Sequence, residues 1–282
     1  VEMGANHKKE IAFLCELAKP DYGYITNFGK AHLEGFGGIQ GVIEGKSELY
    51  QYLSINNKLA FINLEDSIQV QKAADLKFFS FGIKKENADV NIIDVKANPF
   101  VEINFSNLII KSHLIGLYNA NNINAALTIG KYFGVDDIAI KEGLESYIPE
   151  NNRSQLLSKG TNQIILDAYN ANPSSMKVAI ENFLQLDNPN KIMILGDMFE
   201  LGDASTQEHL EVLKLLLDKN EIQCFFIGSA FYANKTVTTH FHFYETFDSF
   251  SEYLKEIKIV NSVVLIKGSR GMALERTLQF FS

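Results

Sequence analysis

Gln163-Ile-Ile-Leu-Asp167-Ala-Tyr-Asn-Ala-Asn-Pro173, running on into Ser174–Leu186, is the stretch on which the reading of this chain turns. Gln163–Leu166 is a short apolar run that reads as a buried strand, and Ser174–Leu186 carries helical spacing. Between them lie an acidic residue at the strand's end and a turn rich in Asn and Pro. Asn tolerates backbone angles that most residues avoid, and Ser174 or Ser175 can cap a helix behind Pro173. Open α/β sheets place their ligand contacts at such strand ends. The same residues also describe an ordinary strand-to-helix loop, and alone they do not separate the two.

Downstream the alternation persists. Lys191–Leu195, Gln223–Ile227 and Ser262–Ile266 read as strands, and Ser205–Lys219, Phe247–Ile257 and Gly271–Phe281 as helices. That order predicts a parallel sheet covered by helices on both faces. Upstream, Ile148-Pro-Glu-Asn-Asn152 breaks the pattern and marks a hinge between residues 1–149 and 150–282. In the first part Tyr22–Thr26 and Leu59–Asn63 read as strands, and Glu10–Ala18, Gly37–Leu53, Asn119–Phe133 and Asp136–Tyr147 as helices. Residues 77–113 alternate in the β manner and predict a small antiparallel patch. Val1-Glu-Met-Gly4 reads as the end of a buried strand without a polar lead-in, so the sequence is expected to be a piece of a longer protein.

Composition excludes more than it selects. The chain has 282 residues, 46% of them hydrophobic, enough for two ordinary domains. A net charge of −8 and no Lys/Arg cluster with interleaved aromatics argue against a nucleic-acid surface. No apolar run reaches the length of a membrane span, so no membrane insertion is expected. Cys15 and Cys224 have no metal-like spacing and read as reduced, buried thiols of a cytosolic protein.

Phosphate-binding signals are weak taken singly. Gly45-Lys46-Ser47 looks like the tail of a P-loop, which needs four residues between its first Gly and the Gly-Lys pair. Here Gly41 leaves three and Gly38 leaves six, and the tripeptide lies at helical spacing with Ile39, Val42, Ile43, Leu49 and Tyr52. It is not a P-loop. No Gly-x-Gly-x-x-Gly fingerprint is present either, so a self-contained nucleotide-phosphate cradle is absent from these residues.

Taken together, the motifs resemble those of the Mur ligase family along nearly the whole chain. They are Glu2-Met-Gly-Ala-Asn-His7, Thr26-Asn-Phe-Gly-Lys-Ala-His-Leu-Glu-Gly-Phe-Gly37, Glu44-Gly-Lys-Ser-Glu48, Gly116-Leu-Tyr-Asn-Ala-Asn-Asn-Ile-Asn-Ala-Ala126, the Asp167–Pro173 turn, Gly196-Asp-Met-Phe-Glu-Leu-Gly202 and Lys267-Gly-Ser-Arg-Gly271. The last three follow the branch that adds D-Ala-D-Ala, and an Asp-Asn-Pro-Arg run of the diaminopimelate-adding branch is missing. The fold this implies is α/β: a partial P-loop-type central ATPase domain over 1–149, then a Rossmann-like doubly wound C-terminal domain over 150–282.

The resemblance implies a cytoplasmic, monomeric ligase that uses ATP and Mg2+ to join UDP-N-acetylmuramoyl-tripeptide to D-Ala-D-Ala. It implies that Glu2 binds the magnesium accompanying ATP, and that His32 and a carbamylated Lys46 hold a second one. Carbamylation converts an amine into an oxygen ligand of the kind magnesium prefers. Asn119 and Asn122 would approach adenine, with Tyr118 in place of the usual His. Arg153 would reach phosphate, Asp167 the ribose hydroxyls, and Tyr169 or Asn170 the nucleotide. Glu200, Lys267 and Arg270 would meet the amine substrate, while Asn6, His7 and Asn27 would lie near the substrate. Two alternatives stay open: another ligase of the superfamily, or a non-catalytic nucleotide- or peptide-binding module.

Overall fold

A computed structural model describes residues 1–150 and 152–281. Asn151, in the middle of the expected hinge, lies outside the described residues. The chain divides into two units, Val1–Ile148 and one beginning at Pro149.

The first unit is built on one six-stranded sheet in sequential order β1 to β6. Its elements are α1 (Glu10–Ala18), β1 (Tyr22–Tyr24), α2 (Leu33–Phe36), α3 (Ile39–Ile55), β2 (Leu59–Asn63), α4 (Ser67–Lys72), β3 (Lys77–Ile83), β4 (Val90–Ala97), β5 (Phe100–Phe105), β6 (Leu108–Ile115), α5 (Ala120–Tyr132) and α6 (Asp137–Ser146). β1 to β4 pair in parallel, and only β4–β5–β6 are antiparallel. The antiparallel patch expected over residues 77–113 is present as β4–β5–β6, but its first strand, β3, pairs in parallel on both sides and joins the patch to the parallel sheet. Period-two alternation fixes which faces are buried but carries no strand direction.

The expected strand at Val1–Gly4 is not formed. Those residues adopt no regular structure, Val1, Glu2 and Gly4 are exposed, and β1 pairs with β2 alone. A strand exists through its ladder, and no described strand offers one here. The expected helix over Gly37–Leu53 begins after a break at Gly37–Gly38, with the short α2 in front of it. α3 then packs on α2 through two glycines. A Cβ on Gly41 would stand 1.8 Å from the Phe36 carbonyl oxygen, and one on Gly45 would stand 2.5 Å from the Phe36 ring. Gly45 thus serves helix packing, and Gly45-Lys46-Ser47 sits in mid-helix.

The second unit carries β7 (Gln155–Lys159), β8 (Asn162–Asp167), α7 (Pro173–Leu184), β9 (Lys191–Gly196), α8 (Ser205–Leu216), β10 (Gln223–Ile227), α9 (Ser229–Ala233), β11 (Phe241–Tyr244), α10 (Phe247–Glu256) and β12 (Val263–Lys267). The sheet order is β11-β10-β9-β12-β8-β7, all parallel except the edge strand β7. Ile164, Leu166, Ile194, Phe225, Val264 and Ile266 pack with Phe250 and Leu254 of α10. The alternate residues Ile165, Met193, Leu195, Phe226 and Leu265 are also buried, and the Phe226 ring lies 5.0 Å from Phe231 of α9 on the other face. This is a doubly wound sheet, as the sequence predicts.

Two details differ from expectation. The cap of α7 is Asn172, whose side chain accepts the Ser175 N–H while the Ser175 hydroxyl accepts the Asn172 N–H. Gly271–Phe281 is not an α-helix but two 3-10 stretches, Arg270–Met272 and Leu274–Phe280, separated by Ala273 at φ 48°. A left-handed residue cannot continue an α-helix.

Candidate functional site

Residues singled out from sequence gather in two places, one in each unit. In the first unit a cavity of about 730 Å3 is lined by Glu2 to Ala5, by Tyr22–Thr26 of β1 and its carboxyl end, and by His32, Phe36 and Lys46. Glu2, His32 and Lys46 therefore share one cavity. His32 adopts a left-handed conformation, φ 52°, at the start of α2. The turn that follows is pressed against the N-terminal segment, because a Cβ on Gly35 would stand 2.4 Å from the Asn6 carbonyl oxygen. His7 and the Asn6 backbone are held by Glu10, whose carboxylate accepts the Asn6 N–H at 2.7 Å.

Lys46 projects from α3, and its Nζ donates to the Asn27 carbonyl oxygen at 2.8 Å. Burial pulls the Lys46 ammonium below the ordinary lysine range, partly offset by the negative charge of Asp66. Among the described residues no three of His, Cys, Asp and Glu stand close enough to hold a metal. Asn119 and Asn122 do not line this cavity. Asn119 is buried, donates to the Ile115 carbonyl at 2.7 Å and accepts from the Asn122 side chain at 3.1 Å. It makes no side-chain cap for α5.

The second site follows from topology. The connections leaving β8 and β9 enter α7 and α8, whereas β12, which lies between them, feeds the 3-10 segments that pack with α10 on the opposite face. Neighbouring strands whose connections diverge open a crevice at their carboxyl ends. Register puts Lys267 beside Asp167 and Leu195 there. Lys267 is only 1% exposed, and its Nζ donates to Asp167 Oδ2 at 2.5 Å and to the Asn170 carbonyl at 3.3 Å. The other carboxylate oxygen accepts the Ser154 N–H at 3.1 Å. Lys267, expected at the amine substrate, thus lies beneath the surface with its charge directed to Asp167.

The Arg153 guanidinium stacks on the Tyr169 ring, 3.9 Å from its centroid, and the Tyr169 N–H donates to the Asn152 carbonyl. Asn170 turns its side-chain oxygen back to the Ala171 N–H. Arg153, Asp167, Tyr169 and Asn170 are consequently brought together. The neighbouring loop carries Glu200, exposed and left-handed at φ 61°. It meets the third loop at Gly271, where a Cβ would stand 2.7 Å from the Phe199 ring. Arg270 is exposed and paired with Glu275 at 3.0 Å.

Sequence reading missed the groups that join these loops. Ser269 accepts the Phe199 N–H at 2.8 Å, donates to the Ala171 carbonyl at 3.4 Å, and its own N–H donates to the Asp197 carbonyl. Asp197, buried at the end of β9, accepts the N–H groups of Ala230 and Phe231. Its carboxylate occupies the space a Cβ on Gly228 would need, at 2.2 Å. His209, fully buried on α8, accepts the Met198 N–H at Nε2 (3.1 Å) and donates from Nδ1 to the Ser205 carbonyl (2.7 Å). Asp197 had the same strand-end signal as Asp167. His209 had none beyond its helical i, i+4 spacing from Ser205.

The fold and these strand-end clusters define a two-unit α/β protein with a mixed, largely parallel sheet in each unit and polar loops at the carboxyl ends of the parallel strands. The chain belongs to the Mur ligase family: residues 1–130 match the Mur ligase middle domain and residues 152–270 the Mur ligase glutamate ligase domain. The UDP-N-acetylmuramoyl-tripeptide–D-alanyl-D-alanine ligase of Bacillus subtilis is 30% identical over 289 residues, covering 99% of this chain and 63% of that protein. Its counterpart in Rickettsia prowazekii is 27% identical over 301 residues, covering 99% of this chain and 65% of the relative. Among solved structures, MurF ligase of Thermotoga maritima in complex with ADP superposes with a TM-score of 0.83 at 26% identity, covering 99% of this chain and 66% of that one. The chain thus spans less than two thirds of the length of these relatives.

Proposed function

We propose that the protein is an ATP-dependent cytoplasmic ligase that joins D-Ala-D-Ala to UDP-N-acetylmuramoyl-tripeptide. In this reading residues 1–149 are the later part of the central ATP-binding domain and residues 150–282 the C-terminal domain. The observation that carries it is the cavity shared by Glu2, His32 and Lys46. Burial raises the share of neutral Lys46 amine, the form that attacks carbon dioxide. With Lys46 as a plain amine, the described residues do not supply three metal-binding side chains. A Lys46 carbamate would add an oxygen ligand, so that His32 and Lys46 would hold one magnesium and Glu2 the one that accompanies ATP. Bound there, magnesium would offset charge on the transferring phosphoryl group.

The reaction supported is acyl activation. A carboxylate oxygen of the tripeptide attacks the γ-phosphorus of ATP and ADP leaves, giving an acyl phosphate. The D-Ala-D-Ala amine then attacks the acyl carbon, loses a proton and expels phosphate. The protein's own residues position and neutralise. Arg153, exposed and held by its face on Tyr169, would offer the edge of its guanidinium to phosphate oxygens. Asp167 retains lone pairs for ribose hydroxyls beside its bonds to Lys267 and Ser154. Asn119 and Asn122 would approach adenine, while Asn170, Glu200 and Arg270 would border the nucleotide and the amine, with Lys267 acting on them through Asp167.

The test is ADP release by the complete gene product containing this chain, with UDP-N-acetylmuramoyl-tripeptide and one amine at a time. Release that needs D-Ala-D-Ala supports the reading. Equal release with D-glutamate or diaminopimelate moves the protein to another branch, and no amine-dependent release removes the ligase assignment.

A further inference from the structure

The β2–α4 connection packs a polar hub behind the cavity that no sequence motif marks. Asn63, the last residue of β2, accepts the Glu65 N–H, and Asp66 caps α4 by accepting the N–H groups of Ile68 and Gln69. Gln69, 0% exposed, has all four of its hydrogen-bonding positions engaged. Its Nε2 donates to the Ile25 carbonyl at 2.9 Å and to Asp66 Oδ2 at 3.3 Å. Its Oε1 accepts the Asn63 N–H at 2.9 Å and the Tyr50 hydroxyl at 3.5 Å. One amide therefore ties together the carboxyl ends of β1 and β2, helix α3 and the start of α4.

Two of those ties bracket Lys46. Ile25 lies two residues before Asn27, whose carbonyl accepts the Lys46 Nζ, and Tyr50 lies one helical turn beyond Lys46 on α3. We infer that Gln69 is a positioning residue that fixes the Asn27 carbonyl against Lys46. Only an amide serves. A leucine of similar size leaves the Ile25 carbonyl and the Asn63 N–H unpaired inside the protein. A carboxylate keeps an acceptor for Asn63 but has no donor, and it would face both the Ile25 carbonyl and Asp66.

The consequence for carbon dioxide rests on the carbamate reading above. A neutral Lys46 amine and its carbamate both keep an N–H, so Asn27 can accept from either. The new N–C bond forms through the nitrogen lone pair, and one N–H proton leaves to solvent. Holding the nitrogen by one hydrogen aims its lone pair, and Gln69 sets that aim.

Two measurements on this chain test the assignment, each in wild type, Gln69→Leu and the near-isosteric Gln69→Glu. The first is the rate at which Lys46 is acetylated by a lysine-directed anhydride, read by peptide mass spectrometry against the other lysines. Loss of the clamp should change the Lys46 rate alone by about tenfold, the scale of one buried hydrogen bond. The second is the carbamate resonance under 13C-labelled bicarbonate, assigned by its disappearance in Lys46→Ala. Both Gln69 variants should lose most of it while amide shifts in the second unit stay in place. If wild type gives no carbamate signal, the carbamate reading fails, and the acetylation rates still decide the role of Gln69. Acetylation of Lys46 at the wild-type rate in a folded Gln69 variant would overturn the proposal.

Discussion

Replacing Lys267 by methionine probes the second site without reference to turnover. Lys267 is 1% exposed and its partner Asp167 has a side chain 15% exposed. Removing one member of a buried pair leaves a desolvated charge behind and costs about 3–5 kcal/mol. The Ser154 N–H still donates to Asp167, and the carboxylate is partly reached by water, so the cost falls at or just below the bottom of that range, about 2–3 kcal/mol. Methionine keeps the volume of the lysine stem, which isolates the charge term from a cavity term. The assay is urea unfolding followed by hydrogen exchange at the β8 and β12 amides, which report on this unit alone. Asp167→Asn in the Lys267→Met background should recover at least half of the loss, because a neutral amide needs no cation. A loss below about 1 kcal/mol, the scale of an exposed ion pair, would refute the reading of Lys267 and Asp167 as a buried, mutually dependent pair.

Gly228→Ala should destabilise the second unit by about 2–4 kcal/mol in the same assay, since φ is 126° and the new Cβ would overlap the Asp197 carboxylate. His209→Leu should speed exchange of the Met198 amide by about tenfold, and His209→Gln, which can place an acceptor near the Nε2 position, should restore most of the protection. Lys46 has a folded pKa lowered by burial below 10.5, so in the window from its folded value up to 10.5 the unfolded chain binds more protons. The stability of wild type relative to Lys46→Met should therefore rise with pH across that window, and a flat or falling difference in pH-dependent urea midpoints would contradict the burial. In the complete gene product, Lys46→Ala should lower ligase turnover by about a hundredfold or more with the fold retained, and added short-chain carboxylic acids should recover part of it where bicarbonate does not.

What the sequence revealed was governed by local signals. Strand-end acids and Gly/Asn turns were legible because their chemistry is written in consecutive residues, which is why Asp167 and its turn stood out, whereas Lys46, in mid-helix, was singled out only through the family resemblance. Alternation over 77–113 gave the buried faces but not the pairing direction, which only the position of β3 beside β2 determines. The helix expected over Gly271–Phe281 failed at Ala273, whose left-handed turn has no side-chain signature. The short β11 and α9 escaped notice because neither spans enough residues to show a period. The hub residues were hidden for another reason: Gln69, Ser269 and His209 act by joining segments far apart in the chain. Ser269 links Ala171, Asp197 and Phe199, so its role appears only once β8, β9 and β12 lie side by side.

The central claim is that the protein activates a carboxylate by transferring phosphate to it, and isotope transfer tests that most directly. UDP-N-acetylmuramoyl-tripeptide labelled with 18O in its terminal carboxylate is incubated with the complete gene product, ATP and D-Ala-D-Ala, and the released phosphate is analysed by mass spectrometry. The acyl-phosphate account predicts one 18O atom in each phosphate released, with Lys46→Ala slowing its appearance. Phosphate released without label, from a reaction that still forms the amide, would contradict it.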